Sequence, residues 1–293
     1  MAKGQWDRGP MMEARAAAKR EALGMAAESV STAPVVVETD EEIEAKLAER
    51  FSILEVITKA AISGDVRAAI ISGPPGLGKS FTVEKALLEW DSREQNHRIV
   101  HGYVRAPALF KLLYQHKDAG QVLVFDDADR VLDDEVSISL LKTVCDTTKR
   151  RRLDYLSQAT MVDELTAEKI PTSFDFEGTV LFISNIDFDV EVAKNTKLSP
   201  HLSAMMSRAQ YLDLAMKTKR DYIIRIRQVV KAGLLASMGL NFLEQKDVLD
   251  FIDENQNKLR KLDLRTAQKI ATWRKSKPIG WQAIAKATCL LNG

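Results

Sequence analysis

The stretch Gly73-Pro74-Pro75-Gly76-Leu77-Gly78-Lys79-Ser80 has glycine at both fixed positions of a phosphate-binding loop, followed by the Lys-Ser pair that the pattern requires. Glycines let the backbone curl so that successive N–H groups point at phosphate oxygens, and the helix that follows turns its positive end to the same place. Lys79 adds a point charge for the β and γ phosphates, and Ser80 can ligate Mg²⁺. A bare glycine-rich turn needs neither the Lys-Ser pair nor a strand before it and a helix after it. The flanks supply both, because residues 68–72 form an apolar run of strand length and residues 80–90 follow helical spacing.

Outward from the loop, apolar runs at 99–104, 122–125 and 179–184 read as further strands, with helical patterns at 107–116 and 133–147 between them. Strands and helices in alternation predict an α/β fold of three layers, a parallel sheet covered on both faces. Upstream, Thr39 and Asp40 suit a cap, and Glu41, Glu42 and Glu44 suit a helix N-terminus. Leu47, Phe51, Leu54 and Ile57 recur at helical spacing, so residues 40–61 are expected to pack as a helix. After Asn185 the strands are expected to stop, and the chain from 214 onward reads as helices only, with Ile223, Ile226, Val229, Val230 and Leu234 on one face. The predicted organisation is a flexible N-terminal arm over 1–38, an α/β core over 39–213 and a small helical lid over 214–293.

The strand at 122–125 runs into Asp126 and Asp127. Two carboxylates at the end of a buried strand supply what a phosphate loop lacks, an acid beside Mg²⁺ and a second acid to orient or deprotonate water. Asp126 is the expected metal-side acid and Asp127 the expected base, with Asp129 as the rival.

Composition excludes other classes. The 293 residues are 45% hydrophobic and 28% charged, and forty-two Lys and Arg against forty-one Asp and Glu leave a formal charge of +1, which points to no partner class. Cys145 and Cys289 form no CxxC or Cys/His cluster, and the four histidines make no metal spacing. No window approaches the roughly 18 apolar residues of a spanning helix, so a cytoplasmic protein without membrane contact is expected. Charge is uneven locally. One basic run is Lys149-Arg150-Arg151-Arg152. Another is the stretch from Lys258 through Arg260, Lys261, Arg265, Lys269, Arg274, Lys275, Lys277 and Lys286, set against Asp263 alone and interleaved with Trp273 and Trp281. Cations with aromatics suit a phosphate backbone and base stacking; a solvated helix end and a packed lid core are the plainer alternatives.

Taken together, these motifs resemble the AAA+ ATPases over residues 45 to 275. Gly73 to Ser80 resembles the Walker A loop and Val122 to Asp127 the Walker B strand. Asn185, after Val180-Leu181-Phe182-Ile183-Ser184, matches the polar sensor 1 that positions water. Leu202 to Arg208 resembles the Ser-Arg end of the family's fourth helix, which implies that Arg208 enters a neighbouring subunit's site. Asp263-Leu264-Arg265-Thr266 resembles sensor 2, which implies that Arg265 touches the γ-phosphate of its own subunit.

The resemblance implies an AAA+ core with a helical lid and a Mg²⁺-dependent ATP hydrolase. Residues Gly73, Pro74, Pro75, Gly76, Leu77, Gly78, Lys79 and Ser80 would hold ATP, Ser80 and Asp126 the metal. It also implies a ring or spiral homo-oligomer, with a hexamer expected. Two departures matter. Asp127 stands where the family more often has glutamate, which points to slow hydrolysis, and the short connection before Val122 leaves no room for a long pore insertion. This favours the clamp-loader and helicase-loader side of the family and its small tailed-phage members, placing the chain in the host cytoplasm. The expected role is remodelling of DNA or a DNA-bound complex in DNA replication, with a protein-remodelling chaperone and a slowly hydrolysing nucleotide-dependent switch as the alternatives. Arg150, Arg151, Arg152 and the basic C-terminal segment are the expected DNA contacts, and a replication or client protein is the expected further partner.

Overall fold

The computed structural model describes residues 38–156, 160–163 and 166–291, so the expected arm lies, apart from Glu38, outside the described residues. From Asp40 onward the chain is one compact unit. Helix α1 (Asp40–Ile62) opens on Asp40, Glu41 and Glu42 and buries Ile43, Leu47, Phe51, Leu54, Thr58 and Ala61 along one face. There follow β1 (Ala68–Ser72), α2 (Lys79–Trp90), β2 (His97–His101), α3 (Ala106–Gln115) and β3 (Val122–Asp126). A 3₁₀ turn at Asp129–Asp133 leads to α4 (Glu135–Val144), and a small antiparallel hairpin pairs β4 (Arg152–Asp154) with β5 (Ser173–Asp175). Then come β6 (Thr179–Ser184), α5 (Phe188–Ala193), α6 (Ser199–Met206) and β7 (Gln210–Asp213). The remaining elements are helices: α7 (Lys219–Lys231), α8 (Leu234–Ser237), α9 (Phe242–Asn255), α10 (Leu264–Ser276) and α11 (Trp281–Cys289).

The sheet is parallel throughout, in the order β2-β3-β6-β1-β7. Side chains divide by the two-residue period of a strand. Ala68, Ile70, Leu123, Phe125, Val180 and Phe182 pack on one face with α3, α4 and α6. Ala69, Ile71, Val122, Val124, Leu181 and Ile183 pack on the other with α1 and α2. Burial on both faces is why these strands read as unbroken apolar runs. A third cluster, from Ile226 to Leu290, gathers α7 to α11. Because β1 feeds a crossover to the far edge while β6 and β7 flank it, β1 and β6 meet at the topological switch, where ligands of open α/β sheets bind.

Several expectations need correction. Strands do not stop after Asn185: Gln210–Asp213 adds β7 beside β1, Ile70 opposite Tyr211. It is four residues long, half-exposed and at the sheet edge, so it carries no apolar run. Strand β2 begins and ends earlier than 99–104, closing before Gly102 with its left-handed φ of 82°. Helix α4 stops at Val144, short of 147, because a turn begins in which Asp146 accepts the Thr148 N–H at 2.9 Å.

The basic run fares differently from its expected role in DNA contact. Arg151 is 3% exposed, donating from Nη1 to the Val144 carbonyl and from Nη2 to that of Gly178, both at 2.8 Å, with its guanidinium 5.0 Å from the Phe176 ring centroid. It ties the end of α4 to the start of β6, and burial pulls its pKa down to about 10. Arg150 makes a two-pronged pair with Asp175, and Arg152 lies 3.5 Å from Asp154. Arg151 is therefore withdrawn from any surface contact, while Arg150 and Arg152 stay exposed at the hairpin, each beside an aspartate. Arg151→Ala, which orphans two carbonyls, is expected to lower stability by about 3 kcal/mol in urea unfolding, against less than about 0.5 kcal/mol for Arg152→Ala. Equal effects would show that Arg151 does not hold the two elements together.

Candidate active site

The loop after β1 re-enters as α2 at Lys79, with Gly78 in the left-handed region as its N-cap. Gly76 also has a left-handed φ, of 77°, and a Cβ there would stand 2.8 Å from the Asp263 Cβ. Its carbonyl accepts the Leu264 N–H at 3.0 Å. Glycine is thus required twice over, by backbone conformation and by the close approach of α10, whose first turn Asp263 caps through the Thr266 N–H at 2.8 Å.

Lys79 is 5% exposed. Its Nζ donates to the carbonyls of Gly73 and Pro74, and at 3.1 Å to Asn185 Oδ1. All three acceptors are uncharged. Burial lowers its pKa to about 8, Asp126, Asp129 and Asp127 oppose that fall, and the nearby Arg265 charge adds to it. A buried ammonium among neutral oxygens, beside a curled loop and a helix N-terminus, fits a phosphate chain.

Adjacent strand ends bring in the acids, since Asp126 pairs in register with Ile183 of β6 and His101 of β2. Asp126 Oδ1 accepts the Ser80 hydroxyl at 3.0 Å, and its Oδ2 lies 3.5 Å from His101 Nδ1. A hydroxyl and a carboxylate side by side suit Mg²⁺, which takes oxygen ligands and keeps several waters. Asp127 is exposed and has a φ of 53°, a left-handed value uncommon outside glycine, with its N–H bonded to the Ile183 carbonyl at 3.1 Å. Its Oδ1 accepts the Asn185 Nδ2 at 2.8 Å. One amide orientation alone serves both neighbours of Asn185, oxygen toward Lys79 and nitrogen toward Asp127. Asp129 accepts the Asn185 backbone N–H at 3.3 Å, and burial raises its pKa against hydrogen bonds from Ser184 and Asn185.

The structure therefore gathers Lys79, Ser80, Asp126, Asp127 and Asn185, with the Arg265 charge within reach of Lys79. It does not bring Arg208 to them: Nε of Arg208 lies 3.3 Å from Asp146 Oδ2, and Nη1 donates to the Ala204 carbonyl at 2.8 Å. Of the two readings of the C-terminal tryptophans, the structure bears out the packed core. Trp281 is buried and Trp273 half-buried in the cluster of the C-terminal helices, and Arg274 is bound by Glu244 and Asp247. Sequence reading passed over His101 and Arg225. Only strand register brings His101 to Asp126. The signal for Arg225 was its place between Ile224 and Ile226, both buried, on a helix with one apolar face.

No protein-family model matches the chain. An uncharacterised 36.7 kDa protein from the nrdC-mobD intergenic region of Enterobacteria phage T4 is 32% identical over 252 residues, covering 85% of this chain and 76% of that protein. Among solved structures, a Thermotoga maritima RuvB mutant gives a TM-score of 0.48 at 14% identity, over 86% of this chain and 72% of its own. Domain III of the Thermotoga maritima replication initiation protein DnaA gives 0.47 at 11% identity, over 84% of this chain and 92% of its own.

A lysine whose pKa drops from 10.5 to about 8 on folding opposes folding while it stays charged. That penalty is full below pH 8 and fades as the pH rises toward 10.5, where the unfolded chain also loses the proton. Relative to wild type, Lys79→Met without nucleotide is expected to gain most in urea midpoint at pH 7 and progressively less toward pH 10. It also loses ATP affinity at every pH. A stability difference that stays flat with pH would sink the assignment of an uncompensated charge.

Proposed function

The chain belongs to one family with the uncharacterised phage T4 protein, and on that premise we propose that it is an AAA+ P-loop ATPase, an oligomeric Mg²⁺-dependent ATP hydrolase that remodels DNA or a DNA-bound complex. The observation that carries this reading is the continuous polar chain from Lys79 through Asn185 to Asp127. It joins the group suited to phosphate to the acid suited to water. We read residues 39–213 as the ATPase core and 214–293 as its lid.

In this reading the loop amides and Lys79 hold the phosphate chain, and Ser80 and Asp126 hold Mg²⁺. Held there, the metal would supply charge neutralisation to the phosphate oxygens. Asp127 orients a water and takes its proton as the water oxygen bonds to the γ-phosphorus and the bridge to the β-phosphate breaks. Asn185 fixes Asp127 through Oδ1, leaving Oδ2 for the water. Arg265 adds positive charge from the lid. Arg208, held by Asp146 apart from the loop of its own chain, supplies its charge to a neighbouring copy in the ring or spiral.

Lys258, Lys261, Lys269, Lys277 and Lys286 are exposed, while Asp263, the acid of that stretch, is buried beneath α10. This supports a polyanionic partner such as DNA. A protein client is the second reading, favoured by Phe242, Leu243 and Ile279 of the lid, which are 78%, 69% and 89% exposed.

Turnover is expected to depend on protein concentration and to rise with DNA; stimulation by protein alone would favour the second reading. Asp127→Asn should cut turnover by about 10² or more with ATP affinity unchanged. Arg208→Ala should cut it by about 10³ or more with affinity again retained. Wild-type turnover by Arg208→Ala would remove the neighbour-acting role.

A further inference from the structure

Helix α7 carries a cation that the catalytic reading leaves unused. The Arg225 guanidinium carbon lies 3.3 Å from the centroid of the Phe51 ring on α1. Its Nε and Nη2 both reach the Leu77 carbonyl at 3.4 Å, and Nη1 reaches Gln228 Oε1 at 3.4 Å. These contacts are long for N–H···O bonds, whose usual distance is about 2.9 to 3.0 Å. Among the described residues no carboxylate pairs with Arg225, and burial lowers its pKa to about 10. A planar group with five N–H donors is thus held in place by an aromatic face while its donors remain poorly filled.

Its location indicates what would fill them. In the phosphate loop the γ end lies toward Lys79 Nζ, Asn185 and Asp127, so the nucleoside leaves from the opposite end, beside Gly78. The groups nearest a Cβ built at Gly78 are Leu264 Cδ1 at 3.5 Å and Arg225 Nη2 at 3.9 Å. The geometry points to Arg225, backed by Phe51, as the residue that receives the nucleoside end of the bound nucleotide, its N–H groups donating to acceptors of the base or ribose. The inference rests on the nucleotide-binding reading and extends it to a contact that neither the loop nor the acids provide. It also gives the lid a hold on the nucleoside in addition to the Arg265 charge near the γ end.

The test is equilibrium binding to the full chain, by calorimetry, of ATP, ADP and inorganic tripolyphosphate, with melting temperature measured in parallel. Arg225→Ala is expected to weaken ATP and ADP by similar factors of about ten and to leave tripolyphosphate within twofold of wild type. Phe51→Leu, which keeps the apolar volume but removes the aromatic face, is expected to weaken ATP and ADP about threefold with the same indifference to tripolyphosphate. It decides the matter if Arg225→Ala does not fold. ATP affinity within twofold of wild type in the folded variant, whatever its melting temperature, would show that Arg225 only fastens the lid, and an equal loss for tripolyphosphate would place it on the phosphates; either result overturns the inference. Wild type binding ATP while Lys79→Met does not keeps the nucleotide reading intact in those cases. Failure of wild type to bind ATP overturns both.

Discussion

The Lys79 ammonium, buried and held by three uncharged oxygens, is the constraint around which the other parts are arranged. An unneutralised cation out of water is costly, and the chain tolerates it only by surrounding it with dipoles. The Gly73 and Pro74 carbonyls come from the curl of the loop and that of the Asn185 side chain from the end of β6. The carboxylates at the end of β3 moderate the charge from a distance. Each acceptor is in place because the sheet order sets β6 between β1 and β3, so that loop, amide and acids emerge at the same edge.

How far this was legible in the sequence depended on the range of the forces involved. Residues 73–80 declared themselves because a phosphate loop needs particular residue types in consecutive positions. Strands β1, β3 and β6 were readable because both faces are buried and every position must be apolar. Strand β7 was not, since its hydrogen bonds to β1 select it and its half-exposed Gln210–Asp213 leaves no pattern. The arginines show the same limit. Arg150, Arg151 and Arg152 look equivalent as a run of charge, yet one is sealed beneath Phe176, one is matched to Asp175 and one faces solvent near Asp154.

Charge therefore has to be read by partner and not by count. Arg274 is consumed by Glu244 and Asp247, the tryptophans among the lid's cations belong to its core, and Arg208 rests on Asp146. Arg225 is the reverse case, an inconspicuous residue of an amphipathic helix whose environment leaves its hydrogen-bonding capacity largely unused. Local periodicity put Ile223, Ile226, Val229 and Val230 on one helical face, wrongly ran that face on to Leu234 of the next helix, and said nothing of what lay across from Arg225.

The backbone bond from Leu264 to Gly76 makes α10 a lever with its short arm on the loop. A helix of thirteen residues is stiff, and its far end carries Lys275, which is fastened to the Met238 carbonyl at the opposite side of the lid. The bond at Gly76, two residues before the glycine that caps α2, is one of several holds on the rest of the chain, beside those of Arg225 on Leu77 and of Gln228 on the Glu44 carbonyl. By linkage, any free energy that a ligand seated on the loop contributes to this docking appears in turn as affinity for that ligand.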